Sequence, residues 1–529
     1  MGKRKRDATC DGGAVVSSGL NNGARLQKKT TFGNSSDPDP SLTLQIVTGS
    51  YEKVLHGITA KVPSGPFGKD DESRERVVEF ADTFLFSAHS SAIRCLAISP
   101  PTAANDAGDP HKVILASGST DERINLYHLS TAPPPPRRKQ ETNLPTLAGS
   151  VVSENPKNRE LGSLLHHASS ITALYFPTRS KLLSSSEDNT VAITRTRDWT
   201  MLSTIKAPIP KVQGRPSGDT APPGGIPAGV NDFAVHPSMK LMISVGKGER
   251  CMRLWNLVTG KKAGVLSFTK DILQGVGVGK WGSGEGRKVA WNESGSEFVV
   301  GFERGAVTFG MNSKPKSRVL PSPLTKLHQL CYLSVERPER AGDEPEASIL
   351  TDILAVSTED GRIIFYSTAG EPQQDQETDT ASIPSGRVLG QLGGKSADLS
   401  RRIKDFEIIR PPKTDDSKGA IHSSLLVVTA SSDGAIRIWT IDAEELLQNC
   451  RGSSQEDSHQ GRESSKHETP LNPQSKQIGR LLGTYETGNR ITCLKAFVMA
   501  APPTSIDGPP GTKSSDGEDS EKDDTEDSE

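Results

Sequence analysis

The sequence predicts an all-β fold, a seven-bladed β-propeller whose C-terminal strand pairs with the N-terminal blade to close the ring. Two observations predict the blades and a third predicts the closure. Seven times, a strand ending in small residues meets a tight acidic or glycine turn and then a second strand of alternating apolar residues, the period-two pattern of a β-hairpin. A shorter apolar strand precedes six of these hairpins, and the seventh such strand stands at the far end of the chain, RITCLKAFV at 490–498. Placed as the inner strand of the first blade, it joins the two chain ends into one ring and removes an exposed sheet edge.

The hairpins run in order as LQIVTGSYEKVLHGITA (44–60), VILASGSTDERINLYHL (113–129), KLLSSSEDNTVAITRT (181–196), KLMISVGKGERCMRLWNL (240–257), EFVVGFERGAVTFG (297–310), DILAVSTEDGRIIFYS (352–367) and LLVVTASSDGAIRIWT (425–440). The inner strands ahead of the second to seventh are AIRCLAIS (92–99), ITALYFP (171–177), VNDFAVHP (230–237), KVAWNESG (288–295), LHQLCYLSV (327–335) and IKDFEIIRP (403–411). Outer fourth strands are legible in five blades, at 83–88, 161–167, 199–206, 262–268 and 478–485. The ring thus spans 42–500, which exceeds the about 40–45 residues per blade that such repeats need. The surplus falls in polar insertions near 131–159, 207–228, 371–386 and 450–476, too poor in apolar residues to fold alone and expected to be disordered.

With 33% hydrophobic residues, Gly 50 and Pro 36, the composition suits short strands and many turns. The net charge of -2 conceals an asymmetry, since the chain starts MGKRKRD and ends EDSEKDDTEDSE. Residues 1–41 are expected as a disordered basic tail and 501–529 as a disordered acidic one. Six cysteines without a CxxC pair argue against a zinc site and a disulfide framework, and suit a reducing compartment. No run of 18 apolar residues occurs, and the N-terminus is basic and polar where a secretory signal needs an apolar stretch, so neither a membrane span nor a secretory signal is expected.

SGSTDERINLYHL and SSDGAIRIWT resemble the WD-repeat (WD40) signature, in which a His before the inner strand, a Ser or Thr, a turn Asp and a strand Trp form a buried network. Blade two has His89, Ser117, Asp121 and Tyr127, with Tyr in place of Trp. Blade three keeps His167, Ser184 and Asp188, with Thr194 at the Trp place; blade seven keeps Thr429, Asp433 and Trp439 but has no His. Blade five departs furthest, with Arg304 and Gly310 at the Asp and Trp places. A His between a hydroxyl and a carboxylate has the residue types of a hydrolase triad. A catalytic site would not recur in several blades, however, so a structural network is expected, with no catalytic residue and no enzymatic activity.

Other candidate sites fail on geometry. QGVGVGKWGSGEGRK (274–288) lacks phosphate-loop spacing, with Gln274 and Trp281 where Gly and Ser or Thr are required. His166 and His167 point to opposite faces of a strand and cannot share a metal. No cofactor and no metal are expected. Lys3, Arg4, Lys5 and Arg6 form a basic cluster that reads as a nuclear import signal, with contact to RNA phosphates as the close alternative. Residues 516–529 hold nine acids against one Lys, and Ser515 and Ser520 precede acidic residues, a pattern suited to basic partners or to phosphorylation.

Four segments carry a narrower resemblance: IVTGSYEKVLHG (46–57), TRTRDWTMLSTIK (194–206), VNDFAVHPSMKLMISVGKGERCMRLWNLVTGKKA (230–263) and RKVAWNESGSEFVVGFERGAVTFG (287–310). They are similar to the WD-repeat family of p21-activated kinase interacting protein 1 and its fungal ribosome-biogenesis relatives. The resemblance implies a non-catalytic scaffold in nucleolar assembly and maturation of the large (60S) ribosomal subunit. The implied partners are ribosomal and assembly-factor proteins of the pre-60S particle, with pre-ribosomal RNA contact as a further expectation. The alternative it implies is a negative regulator of a p21-activated protein kinase. The implied location is the nucleus and nucleolus.

Overall fold

The computed structural model describes residues 41–63, 78–101, 112–134, 153–209, 228–279, 282–338, 348–370, 383–397, 399, 401–412, 424–451 and 476–500. Lys3, Arg4, Lys5 and Arg6, the acidic tail and most of each expected insertion lie outside the described residues. Seven four-stranded antiparallel sheets follow one another along the chain, so the predicted seven-bladed propeller is what the chain forms. In blades two to seven the four strands are consecutive in sequence. In blade one the order is Ile491–Val498, Ser41–Ser50, Val54–Pro63, Glu79–Ser87. The last strand pairs antiparallel with the first, Leu44 opposite Val498 and Gly49 opposite Cys493, which closes the ring as the displaced strand predicted.

Alternation of side chains on each strand decides where the core sits. Successive residues face opposite neighbours: Val427 packs with blade six, whereas Val428 packs with blade one. The buried apolar residues therefore collect in seven clusters, one between each adjacent pair of blades. Stability is spread around the ring, and each blade depends on both neighbours.

A shared irregularity marks one end of the ring. The inner-strand register shifts between Ile93 and Cys95, Ile171 and Ala173, Val230 and Asp232, Leu327 and Leu330, and Ile403 and Asp405. In blade one, Gly49 and Ser50 face Cys493 and Ile491 and skip Thr492. These bulges free the next residue to bond across the blade boundary. The Asp232 carboxylate accepts the Val289 N–H at 3.1 Å, and that of Asp405 accepts the Leu494 N–H at 2.9 Å and the Gln329 amide at 3.0 Å.

The structure adds elements that the hydrophobic pattern concealed. The outer strands of blades five and six are Pro315–Val319 and Gly386–Gly393; the first is short and cationic and the second rich in glycine, so neither alternates visibly. Helices occupy Lys270–Gly275 and Ala443–Arg451. The insertion expected at 131–159 is anchored at both ends. Thr131 and Asn155 are buried, the Asn155 amide donates to the Ala132 carbonyl at 3.0 Å, and the Ser153 N–H donates to the Asp82 carbonyl at 2.7 Å.

Candidate functional site

Blade two brings its signature residues together. His89 precedes the inner strand Ile93–Ile98, Ser117 lies on Lys112–Ser119, Asp121 is in the turn that follows, and Tyr127 is on Ile124–Ser130. The imidazole bridges the hydroxyl and the carboxylate: Nε2 is 2.8 Å from Ser117 Oγ and Nδ1 is 3.1 Å from Asp121 Oδ2. The carboxylate also accepts the N–H groups of Ser90 at 2.9 Å and Arg123 at 3.1 Å. Burial alone would raise its pKa, but the Ser90 N–H and neighbouring His89 hold it below the usual carboxylate range. Burial pushes His89 down despite the opposing pull of Asp121. Burial also pushes the Tyr127 phenol up to about 12.

Blade three repeats the bridge. His167 Nε2 is 2.8 Å from Ser184 Oγ, and Nδ1 is 3.1 Å from Asp188 Oδ2 and 3.0 Å from Thr190 Oγ1. Burial opposes ionisation of Asp188, yet bonds from His167, Thr190 and the Ala168 N–H hold it well below the usual range. Thr194 is buried, and its hydroxyl has no partner among the described residues, so it takes no part in the bridge.

Blade seven differs from the expected network. Thr429, Asp433 and Trp439 are not joined to one another; they line a cavity of about 210 Å³ instead. The Thr429 hydroxyl donates to the Arg437 carbonyl at 3.3 Å, and Asp433 accepts from the Ser431 hydroxyl and from the Ala435 N–H at 3.2 Å. In blade four, by contrast, the Trp255 ring N–H donates to Ser244 Oγ at 2.8 Å.

Three networks escaped the sequence reading. In blade one, His56 Nε2 lies 2.7 Å from Asp82 Oδ1, and the Tyr485 hydroxyl donates to that oxygen at 2.6 Å from the outer strand of blade seven. In blade six a buried guanidinium serves where an imidazole would: Arg362 donates to Asp360 at 2.9 Å and to the Ser322 carbonyl at 2.8 Å. In blade five, Glu297 takes the Lys316 ammonium at 2.5 Å and the Tyr332 hydroxyl of blade six at 3.0 Å. The only sequence signal for these was a charged residue inside an otherwise apolar strand.

The bulged end of the ring also gathers cations. His328 has a buried Nε2 with no hydrogen-bond partner among the described residues, and its pKa is pushed down to about 4, first by burial and then by Lys404, Arg402, Arg287 and Lys326. A His depressed in the folded state binds its proton more readily when unfolded, so its stabilising contribution is present above pH 6.5 and is lost as pH falls toward about 4. His328→Gln should therefore shrink the stability loss between pH 7 and 4.5 by on the order of 1 kcal/mol, after allowance for solvent screening. Urea melts across that range check this; equal pH slopes in the two proteins would refute it.

Burial pushes the thiols of Cys95 and Cys331 up to about 12, as fits inner-strand side chains that stay protonated. Among the described residues no group of three or more His, Cys, Asp or Glu is placed to hold a metal. The glycine-rich stretch follows the helix Lys270–Gly275 and leads into the strand Lys288–Trp291, the reverse of the loop-then-helix order of a phosphate site. No helix among the described residues is long and apolar enough to cross a membrane.

The family model described as WD domain, G-beta repeat, matches residues 158–194, which contain the bridge formed by His167, Ser184 and Asp188. The chain is a seven-bladed propeller that carries a WD repeat. Its similarity to known proteins extends well past that one repeat. It is 26% identical over 428 residues to protein MAK11 of Saccharomyces cerevisiae, covering 76% of this chain and 79% of that protein. It is 23% identical over 405 residues to the p21-activated protein kinase-interacting protein 1-like of Xenopus laevis, covering 76% of each. It is 22% identical over 399 residues to Shk1 kinase-binding protein 15 of Schizosaccharomyces pombe, covering 75% of this chain and 78% of that one. These are the animal and fungal proteins that the four sequence segments resemble.

Proposed function

We propose that this WD-repeat propeller is a non-catalytic scaffold in the assembly and maturation of the large ribosomal subunit, acting in the nucleolus on proteins of the pre-60S particle and on pre-ribosomal RNA. The observation that carries the scaffold reading is the burial of its triad-like groups. The His89 and His167 side chains have no exposed surface, and both ring nitrogens of each are occupied, which leaves a substrate no approach. The pathway rests on the family resemblance, supported by similarity along three quarters of the chain to MAK11. Lys3, Arg4, Lys5 and Arg6 are the candidate for nuclear import.

A second reading, regulation of a p21-activated kinase, is favoured by the names of two relatives, one kinase-interacting and one kinase-binding. Tagged protein recovered from cells separates the two. Co-sedimentation with large-subunit precursors is the expected result; recovery with a kinase and absence from those particles would replace the first reading by the second.

A further inference from the structure

Blade seven retains the hydroxyl, the carboxylate and the tryptophan of the repeat, but not the imidazole that spans them elsewhere. His89 stands four residues before Ile93, and His167 four before Ile171; the residue four before Ile403 is Leu399. Leucine has no second polar end with which to bridge Thr429 and Asp433, and the space between them stays open as the cavity of about 210 Å³. One wall is fixed by Gly361, whose φ is +83 and whose missing Cβ would fall 2.7 Å from the Leu399 carbonyl oxygen and 2.8 Å from that of Arg401. No other residue fits that wall, so the cavity is built into the packing of blade six on blade seven.

The lining has more donors than it can use. Arg401 is exposed and makes no ion pair among the described residues. Arg437 lies 3.1 Å from Ser431 Oγ and only within 3.9 Å of Asp433. Its counterpart in blade four, Arg253, stands opposite Ser244 as Arg437 stands opposite Thr429, and it grips Glu249 with both terminal nitrogens. The Trp439 ring N–H makes no hydrogen bond among the described residues. Among the described residues, two guanidinium groups and an indole N–H thus face a single carboxylate that Ser431 and Ala435 already engage. A group entering this cavity must be a small acceptor, and a negative one is bound best because a guanidinium pair forms forked, charge-assisted bonds with it.

We propose that this cavity binds an aspartate or glutamate side chain of a partner protein, its carboxylate seated between Arg401 and Arg437 and bonded by the Trp439 N–H. A side-chain carboxylate reaches into such a volume on a narrow stem. A nucleic-acid phosphate carries a sugar on each side and is too broad to enter it. The proposal deepens the scaffold reading by naming the chemistry of one partner contact. It does not depend on the pathway, so failure to sediment with ribosomal precursors would leave it standing.

The test uses the full-length chain and a fluorescein-labelled peptide of six glutamates, read by anisotropy. Wild type should bind, and Arg401→Gln should weaken binding about tenfold with an unchanged melting temperature. Leu399→His should restore the imidazole bridge to Thr429 and Asp433, fill the cavity, raise the melting temperature and abolish peptide binding. Absence of binding by wild type, or equal binding by all three proteins, overturns the proposal. So does displacement of the peptide by oligouridylate with the same affinity in wild type and Leu399→His, because the anion contact would then lie elsewhere on the ring.

Discussion

A chain that ends at Thr487 should fail to give a soluble, cooperatively melting monomer, whereas one that ends at Ser505 should melt like the full-length protein. The shorter chain lacks Ile491–Val498, the inner strand of blade one. Its loss leaves Leu44–Ser50 with an unpaired edge and strips Ile491, Cys493 and Leu494 from the clusters on both sides of that blade. Burying a side chain of the Leu or Ile class contributes about 1.5–3 kcal/mol, so these residues and the uncovered faces of Leu44, Ile46 and Val47 sum to much of the roughly 5–15 kcal/mol that holds a typical domain together. Asp405 would also lose the Leu494 N–H and be left as a buried carboxylate with fewer partners. The opened ring presents a strand edge of the kind that aggregates. The longer chain keeps every one of these contacts. Size-exclusion chromatography and thermal melts of the two truncations decide the matter, and equal melts for both would show that the ring does not depend on its last strand.

How much of this was visible in the sequence follows from what each feature leaves in the residue pattern. The blades were legible because a strand with one neighbour on each face must alternate, and because turns such as Ser431 to Gly434 use residues suited to tight geometry; Gly434 itself sits at φ +93. The closing strand was legible because an apolar run at 490–498 had no hairpin of its own. Outer strands were legible only where apolar; Pro315–Val319 reads PKSRV and is held chiefly by its ladder to Ala306–Gly310. The polar networks were visible where residue type and spacing both matched the repeat, as with His89 and Asp121. They were invisible where a different side chain reaches the same place, as Arg362 does in blade six, or where the partner lies 403 positions away, as Tyr485 lies from Asp82. The cavity in blade seven is a packing property, and one Leu in a loop does not announce it.

The other large effect separates two aspartates that occupy the same place in the repeat. Asp121→Ala should cost about 2–3 kcal/mol, because it strands the enclosed His89 ring nitrogen and the N–H groups of Ser90 and Arg123 without acceptors. Asp433→Ala should stay within about 1 kcal/mol, because no imidazole depends on Asp433 and the Ser431 hydroxyl it accepts also reaches the Ala435 carbonyl at 3.2 Å. In the half-buried turn of blade seven, water can replace what the carboxylate gave. Denaturant midpoints of the two variants measured side by side give the comparison. Equal shifts would mean that the His–Asp bridge adds nothing to the shared turn. An unchanged melt for Asp121→Ala, accompanied by loss of partner binding, would move Asp121 from the frame of the propeller to its binding surface.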